Sequence, residues 1–181
     1  MSYDKITIVI NTFNSDDKIH LCLNSIESKT KVIIVENSNN VNFKDELEKK
    51  YTNLECILTG QNLGYAKGNN LGLSKVKSKY ALILNPDATL SKDTLDDFWV
   101  TAEKLSDFAI LGPAKQDEYN KDEYNIDKNQ IFQVKSLKGF AIFLNLNQFK
   151  EVGFFDENFF IYLEEIDLCK RLKSKNKKIY L

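Results

Sequence analysis

The sequence is poor in cysteine and has no long apolar run. Its three cysteines, Cys22, Cys56 and Cys169, are odd in number and widely spaced, which argues against a disulfide framework and against a zinc cluster. No segment approaches the roughly 20 apolar residues of a membrane-spanning helix, and the first residues do not resemble a signal peptide. We therefore expect reduced, buried thiols and a cytoplasmic protein.

The sequence also has no large excess of either positive or negative charge. The 25 Lys and Arg residues are balanced by 26 Asp and Glu residues, so the net charge of -1 gives no general attraction to nucleic acid. Any anionic partner must be bound locally. A composition of 43% hydrophobic and 28% charged residues is typical of globular proteins, and 181 residues fit a single domain with one core.

Strand-like and helix-like patterns alternate along the chain. Apolar runs predict strands at 5–10, 32–35, 54–58, 80–84, 131–136, 140–146 and from 179 onwards. Helical spacing predicts helices at 19–26, 43–51, 69–76, 95–105 and 163–173, with Ser91 as one N-cap and Asn147 as the cap of a short helix. This alternation predicts an α/β fold with a mostly parallel central sheet covered by helices on both faces. The polar stretch 115–130 predicts a surface loop.

Polar residues follow four successive predicted strands. They are Asn11 to Asn14, Glu36 to Ser38, Asn62 to Gly64 and Asn85 to Asp87. Ligands of open parallel sheets bind at the carboxyl ends of the strands, so together these tips predict a binding site. Each tip alone also suits an ordinary turn. The first tip lacks the G-x-G-x-x-G of dinucleotide oxidoreductases and the Gly-rich basic loop of nucleotidyltransferases.

The segment 153–171 places adjacent carboxylates on an aromatic-rich stretch that leads into a helix. Aromatic surroundings disfavour the charged form of a carboxyl group and raise its pKa toward the range of a general base. The alternative is a simple helix start, at which Glu164, Glu165 and Asp167 meet the positive end of the helix dipole. This segment alone leaves both interpretations open.

These motifs resemble those of the inverting glycosyltransferases of family 2, which have the GT-A fold with its Rossmann-like sheet, and in particular the rhamnosyltransferase-like branch. The resemblance runs from Lys5 to Leu181. It rests on Thr12-Phe13-Asn14, Glu36-Asn37-Ser38, Asn62–Gly72, Leu84–Ala88 and Gly153–Arg171.

The resemblance implies a donor-binding half at about 1–90 and an acceptor-facing half at about 91–181. The implied donor is a UDP- or dTDP-sugar, and the implied acceptor is a glycan or lipid-linked hydroxyl in surface polysaccharide synthesis. The implied donor residues are Thr12, Asn14, Glu36, Asn37, Asn62, Gly64, Gly68, Asn69, Asn85 and Asp87. The implied acceptor side comprises Gly139, Asp156, Glu157 and Asp167.

The resemblance also implies a metal ion and a catalytic base. Asp87 falls in the metal-binding acidic motif, where Mn²⁺ or Mg²⁺ would neutralise the diphosphate leaving group. Glu165 falls at the catalytic base, which removes the proton from the acceptor hydroxyl, and Glu164 is the alternative base.

The chain departs from the family pattern in several places. Glu36 and Glu165 stand where aspartate is usual, and Asn85 occupies the first position of the acidic metal motif. The chain ends before a histidine that often completes the metal site, so we expect a C-terminally truncated domain. A catalytically inactive nucleotide-sugar-binding domain is the alternative function.

The basic residues between 170 and 178 predict a solvated helix end. The alternative is peripheral contact with anionic lipid at the inner face of a membrane. The sequence does not indicate an oligomeric state.

Overall fold

The computed structural model describes residues 3–105, 107–114 and 131–181. The strands of the described residues are β1 (Ile6–Thr12), β2 (Lys31–Glu36), β3 (Leu54–Leu58), β4 (Tyr80–Leu84), β5 (Phe108–Leu111), β6 (Ala141–Asn145) and β7 (Lys178–Tyr180). The α-helices are α1 (Asp16–Asn24), α2 (Val41–Lys50), α3 (Gly64–Ser74), α4 (Thr94–Lys104) and α5 (Glu164–Ser174). Short 3₁₀ turns lie at Tyr3–Lys5 and Leu146–Phe149. No helix in these ranges is long and apolar enough to cross a membrane.

All seven strands belong to one sheet, in the order β3-β2-β1-β4-β6-β5-β7. β1 pairs in parallel with β2 and β4, β2 with β3, and β5 with β7. β6 runs antiparallel between β4 and β5. The buried residues form one cluster on each face, with α1, α2 and α4 on one side and α3 and α5 on the other. The predicted α/β fold with a mostly parallel, doubly covered sheet is therefore confirmed.

Glycines bring α3 close to the sheet. A Cβ atom added at Gly72 would lie 2.4 Å from Val9 Cγ1, and one added at Gly68 would lie 2.4 Å from Asn11 Oδ1. Both distances are shorter than real carbon contacts allow, so only glycine permits this approach. The spacing of four residues between Gly64, Gly68 and Gly72 places them on one face of the helix. This face fixes α3 against the first strand.

The three cysteines are buried and free, as predicted. Several predicted boundaries were wrong. α3 begins at Gly64 rather than at residue 69, because tertiary packing outweighs the low helix propensity of its glycines. The predicted strand at 131–136 is reduced to a single bridge between Gln133 and Tyr180, because β7 is only three residues long. β5, a strand of four residues, is not among the predicted strands.

Both predicted caps were also wrong. α4 begins at Thr94 after Asp93, because the Ser91 carbonyl accepts a hydrogen bond from Thr94 N in a turn that precedes the helix. The 3₁₀ turn begins after Asn145, where β6 ends, rather than after Asn147. The surface loop predicted at 115–130 lies outside the described residues.

Candidate active site

The carboxyl ends of β1 to β4 lie at the same edge of the sheet. Thr12 at the end of β1 pairs with Glu36 at the end of β2, and Glu36 pairs with Leu58 at the end of β3. The neighbouring strands β1 and β4 lie where the order of the strands reverses, and open α/β sheets bind their ligands in the crevice formed there. The predicted meeting of the four polar tips at one edge is thus confirmed.

The half-buried Asn11 and the buried Asn37 join the tips of β1 and β2 to the start of α3. Asn37 Nδ2 donates to Asn11 Oδ1 at 2.7 Å and to the Gly64 carbonyl at 3.3 Å. Asn11 Nδ2 donates to the same Gly64 carbonyl at 3.0 Å. Leu63 N donates to Asn37 Oδ1 at 3.4 Å. Both amide groups are therefore used to hold three backbone segments together.

Glu36 is buried and its carboxylate closes the loop that follows β2. One oxygen accepts from Ser38 N at 2.8 Å and from Ser38 Oγ at 2.5 Å, and the other accepts from Asn40 N at 2.8 Å. Asn40 in turn caps α2, because its side chain accepts from Phe43 N at 3.1 Å. The longer side chain of glutamate at this position is therefore fully accommodated by the loop.

The predicted donor residues divide into two groups. Six of the ten are buried, namely Thr12, Glu36, Asn37, Gly64, Gly68 and Asn69. Asn85 is half-buried, and Asn14, Asn62 and Asp87 are exposed. The Asn62 side chain accepts from Gly64 N at 2.9 Å, which shapes the turn into α3. The buried group shapes the edge of the sheet, while the accessible group can reach a ligand directly.

Asp87, the predicted metal ligand, is an exposed carboxylate just beyond the end of β4. The described residues contain no group of three or more His, Cys, Asp or Glu side chains that could hold a metal by themselves. An exposed carboxylate at a strand end nevertheless fits Mg²⁺ or Mn²⁺ bound largely by water and substrate phosphates, since Mg²⁺ sites commonly use one or two carboxylates plus the substrate.

The segment before α5, residues 152–163, is fixed by one side chain from each of two helices. Asn70 Nδ2 donates to the Phe155 carbonyl at 2.9 Å and to Glu157 Oε1 at 3.2 Å. Phe155 N donates back to Asn70 Oδ1 at 3.1 Å. The Arg171 guanidinium donates to the carbonyls of Val152 and Phe154 at 2.9 Å and 2.5 Å. We call residues 152–163 the acceptor loop, after the acceptor contact predicted for Asp156 and Glu157.

The predicted acceptor residues have different surroundings within this region. Asp167 Oδ2 accepts from Arg171 Nε at 2.6 Å and so helps to orient the guanidinium. Asp156 Oδ1 accepts from the backbone and the side chain of Asn158, both at 2.9 Å. Glu157 is exposed and Gly139 is half-buried. Asp167 and Asp156 therefore have clear structural roles, and their contact with an acceptor stays a prediction.

The acceptor loop ends in an exposed apolar tip. Phe160, Ile161, Tyr162 and Leu163 are between 51% and 75% exposed. Tyr162 and Leu163 have φ angles of 72° and 70°, a left-handed conformation that side chains rarely adopt. These two residues turn the chain abruptly into α5. A groove of about 420 Å³ lies beside the tip, lined by Gln61, Asn62, Leu63 and Lys67 on one side and by Glu157, Asn158 and Phe160 on the other.

The two adjacent glutamates at the start of α5 have different environments. Glu164 is only 5% exposed, whereas Glu165 is half-buried. Burial raises the pKa of Glu164 above its usual value, its own backbone N–H lowers the pKa, and the charge of Glu165 raises it. Leu168 and Leu172 follow Glu164 at intervals of four residues and are fully buried, so the core-facing stripe of α5 includes Glu164. The burial of Glu164 could therefore have been predicted from its spacing to Leu168 and Leu172 in the sequence.

The turn at Gly139 and Phe140 connects Glu165 to the end of β4. A Cβ atom added at Gly139 would lie 3.8 Å from Glu165 Cδ. Tyr65 Oη donates to the Gly139 carbonyl at 2.6 Å, and Asn85 N donates to the Phe140 carbonyl at 2.9 Å. One short turn therefore contacts both the candidate base and the strand end that leads to Asp87.

No individual role was predicted from the sequence for Asn11, Tyr65 and Asn70. Arg171 was predicted only as part of a solvated basic helix end, whereas it is half-buried and hydrogen-bonded within the protein. Each of these four residues lies inside a quoted motif, but its partner is distant in the sequence, as with Tyr65 and Gly139, which are 74 residues apart. The motif spacing therefore marked the region without indicating these contacts.

Comparison with solved structures defines the class of fold. The structure superimposes on the mannosyltransferase PcManGT from Pyrobaculum calidifontis, solved in complex with GDP-Man and Mn²⁺, with a TM-score of 0.77 and 14% identity. The match covers 97% of this chain and 53% of that one. The fold is the GT-A α/β fold, as predicted.

The sequence comparison identifies the family. Residues 7–169 match the model of glycosyl transferase family 2, and the chain belongs to this family. It is 23% identical to the low-salt glycan biosynthesis hexosyltransferase Agl10 of Haloferax volcanii, over 96% of this chain and 63% of that protein. It is 25% identical to the rhamnosyltransferase WbbL of Escherichia coli K12, over 98% of this chain and 75% of that protein. The resemblance to the rhamnosyltransferase-like branch is confirmed, and the chain spans less than two thirds of the haloarchaeal relative.

Proposed function

We propose that this chain contains the donor-binding and catalytic parts of an inverting glycosyltransferase. The enzyme would move a sugar from a nucleotide-sugar to an acceptor hydroxyl during the synthesis of a glycan or surface polysaccharide. The observation that carries the proposal is the shared turn at Gly139 and Phe140, which contacts both Glu165 and Asn85, two residues before Asp87. Family membership over residues 7–169 supports the same conclusion.

The donor would bind at the crevice between β1 and β4, with residues 1–90 forming its side of the site. We assign direct contact with the donor to the accessible residues Asn14, Asn62, Asn85 and Asp87. The six buried donor residues then act by fixing the strand tips, as Asn37 and Glu36 do through their hydrogen bonds. The solved relative holds GDP-Man, so a GDP-sugar joins the UDP- and dTDP-sugars as a candidate donor.

A divalent cation fits the donor side of the site. Asp87, with Asn85 close to it in the chain, would hold Mn²⁺ or Mg²⁺ together with the oxygens of the diphosphate. The cation would supply positive charge for the diphosphate as it leaves. The presence of Mn²⁺ in the solved relative supports this assignment.

The acceptor would approach along the acceptor loop, on the side formed by residues 91–181. Glu165 removes the proton from the acceptor hydroxyl while that oxygen attacks the anomeric carbon. The bond to the diphosphate breaks on the opposite face, so the configuration at this carbon inverts. The groove between Asn62 and Glu157 places a predicted donor residue opposite a predicted acceptor residue, which supports this arrangement.

Calorimetric titration with UDP, dTDP and GDP, each with and without Mn²⁺, tests the donor site. We expect one nucleotide to bind, with an affinity that rises when Mn²⁺ is present, and we expect Asp87→Asn to remove the difference made by the metal. Lys150→Gln, which changes one exposed charge in a residue to which no role is assigned, serves as the control. Absence of binding by the folded chain would contradict the proposal, and binding without transfer would favour the inactive nucleotide-sugar-binding domain.

Peripheral membrane contact, a lipid-linked acceptor and a cytoplasmic location stay predictions. Besides Arg171, the basic residues Lys177 and Lys178 of the segment 170–178 make contacts within the protein. Lys178 Nζ lies 2.5 Å from Asp107 Oδ2, and Lys177 Nζ donates to Gln148 Oε1 at 3.0 Å. These contacts support a structural role for that part of the segment.

A further inference from the structure

Glu164 belongs to a buried polar cluster that the proposed mechanism does not use. The cluster consists of Glu164 on α5 and of Tyr65 and Asn69 on α3. Asn69 is fully buried and its Nδ2 donates to the Tyr65 carbonyl at 2.9 Å. Burial raises the pKa of the Tyr65 phenol, and the carboxyl groups of Glu164 and Glu165 raise it further whenever they are charged. The Tyr65 phenol therefore lies within electrostatic range of both glutamates at the start of α5.

This cluster has an excess of acceptors. Within the described residues, Glu164 Oε2 and Asn69 Oδ1 are buried and have no hydrogen-bond partner. The Tyr65 hydroxyl already donates to the Gly139 carbonyl at 2.6 Å. A carboxylate can only accept hydrogen bonds, whereas a carboxylic acid also donates one. A proton on Glu164 would therefore supply the donor that the cluster lacks, either to a neighbouring acceptor or to an ordered water.

The charges around Glu164 favour the same protonation state. In the part of the chain that the structure describes, the charged side chain that acts on Glu164 is Glu165, which has the same sign. The ionisable group that α3 contributes to the cluster is the Tyr65 phenol. Burial raises the pKa of this phenol, so it stays neutral. A buried carboxylate without a cation costs several kcal/mol, and taking up a proton removes that cost.

We propose that Glu164 is a positioning residue, held as a neutral acid in this cluster, which leaves Glu165 as the charged carboxylate that faces the acceptor. The proposal rests on the proposed function, because it assigns the two glutamates to different tasks in that reaction. Pairs of carboxyl groups in which the environment keeps one neutral and one charged are a common way to separate such tasks. Glu165 receives the proton of the acceptor, and Glu164 neither gives nor takes one during transfer.

The neutral form also matters for the base itself. A charged Glu164 would repel the charge on Glu165 and so disfavour the ionised form that accepts the proton. A neutral Glu164 avoids this repulsion while its side chain fixes the first turn of α5 against α3. The position and the charge of Glu165 would thus both depend on its neighbour.

Substitution at the two glutamates tests the assignment. Glu164→Ala is expected to lower kcat about 100-fold, the loss that a misplacement of about 1 Å causes. Glu164→Gln keeps the shape of a neutral acid and is expected to recover most of that loss. Glu165→Gln is expected to recover nothing relative to Glu165→Ala, because an amide cannot accept the proton. Circular dichroism and urea unfolding establish that each variant is folded.

The pH dependence of kcat gives a second result that a purely structural residue would not affect. With a neutral Glu164, the acidic limb of the profile is expected at the same pH in the wild type and in Glu164→Gln. If Glu164 were charged in the wild type, replacing it by Gln would shift the acidic limb of the kcat profile to lower pH by about one unit. Such a shift, or a loss in Glu164→Gln as large as in Glu164→Ala, would overturn the assignment.

The outcome for Glu165 separates this inference from the proposed function. Full transfer by Glu165→Gln would refute the proposed base, and with it the proposed mechanism. Loss of transfer in Glu165→Gln together with failed recovery in Glu164→Gln would refute the neutral acid alone. Infrared difference spectra of wild type and Glu164→Gln should also show a protonated carboxyl band that disappears in the variant. Absence of that band would contradict the inference even if a variant proved unstable.

Discussion

Replacement of Arg171 by methionine tests how the acceptor loop is held. The guanidinium donates to Asp167 Oδ2 at 2.6 Å and to the carbonyls of Val152 and Phe154 at 2.9 Å and 2.5 Å. Hydrogen bonds to charged groups contribute about 1.5–3 kcal/mol each when buried. The side chain is 30% exposed, so water screens these bonds and about 1 kcal/mol for each is a fair value. Arg171→Met is therefore expected to lower the free energy of unfolding by about 3 kcal/mol in total.

Urea unfolding followed by circular dichroism measures this loss, and a thermal scan should show a Tm lower by about 6–12 °C. Arg171→Lys keeps the charge but not the planar fork, so it should fall between the wild type and Arg171→Met. Lys170→Met, one position earlier and exposed, is the matched control and should stay within about 0.5 kcal/mol of the wild type. Equal stability of Arg171→Met and Lys170→Met would refute the role given to this arginine.

Three other changes test the fold and the carboxyl cluster. Gly72→Ala places a Cβ atom 2.4 Å from Val9 Cγ1, and we expect urea unfolding to show a loss of about 1–3 kcal/mol despite the better helix propensity of alanine. A gain in stability would contradict the close packing of α3. Phe143→Ala removes a fully buried ring from the core, so its midpoint in urea should reveal a loss of about 3–5 kcal/mol, and a loss below about 1 kcal/mol would count against the packing described. Burial raises the pKa of Glu164 above 4.5, so the folded protein keeps a proton that the unfolded chain loses. The stability of the wild type relative to Glu164→Gln should therefore fall as the pH rises above about 4, and a rise would show that the sign is wrong.

The central strands could be predicted from the sequence because their signals are strong and local. β1, β2 and β4 are runs of apolar, mostly β-branched or leucine residues, and the polar residues that follow them mark one edge of the sheet. The direction of β6 could not be predicted in this way, because an apolar run has the same appearance in parallel and antiparallel strands. β5 has only four residues, which is too short to stand out between Leu105 and Gly112.

The site was predictable as a region but not as a set of contacts. Asn37 and Asn69 are polar residues of conspicuous motifs, yet both are buried, with Asn37 hydrogen-bonded to Asn11 and Asn69 to the Tyr65 carbonyl one turn earlier in α3. Their burial depends on α3 lying close to β1, which the interval of four residues between Gly68 and Gly72 makes possible. The difference between Glu164 and Glu165 follows from helix geometry, since adjacent residues point about 100° apart around the axis.

The central claim is that Glu165 is the base of a sugar transfer. The most direct measurement compares wild type and Glu165→Gln in a single-turnover assay with the nucleotide-sugar that binds, while calorimetry follows donor binding in the same samples. We expect transfer by the wild type with inversion at the anomeric carbon, and a loss of at least about 100-fold in the variant with unchanged donor affinity. Equal rates of transfer in the two proteins, or retention of configuration in the product, would contradict the account.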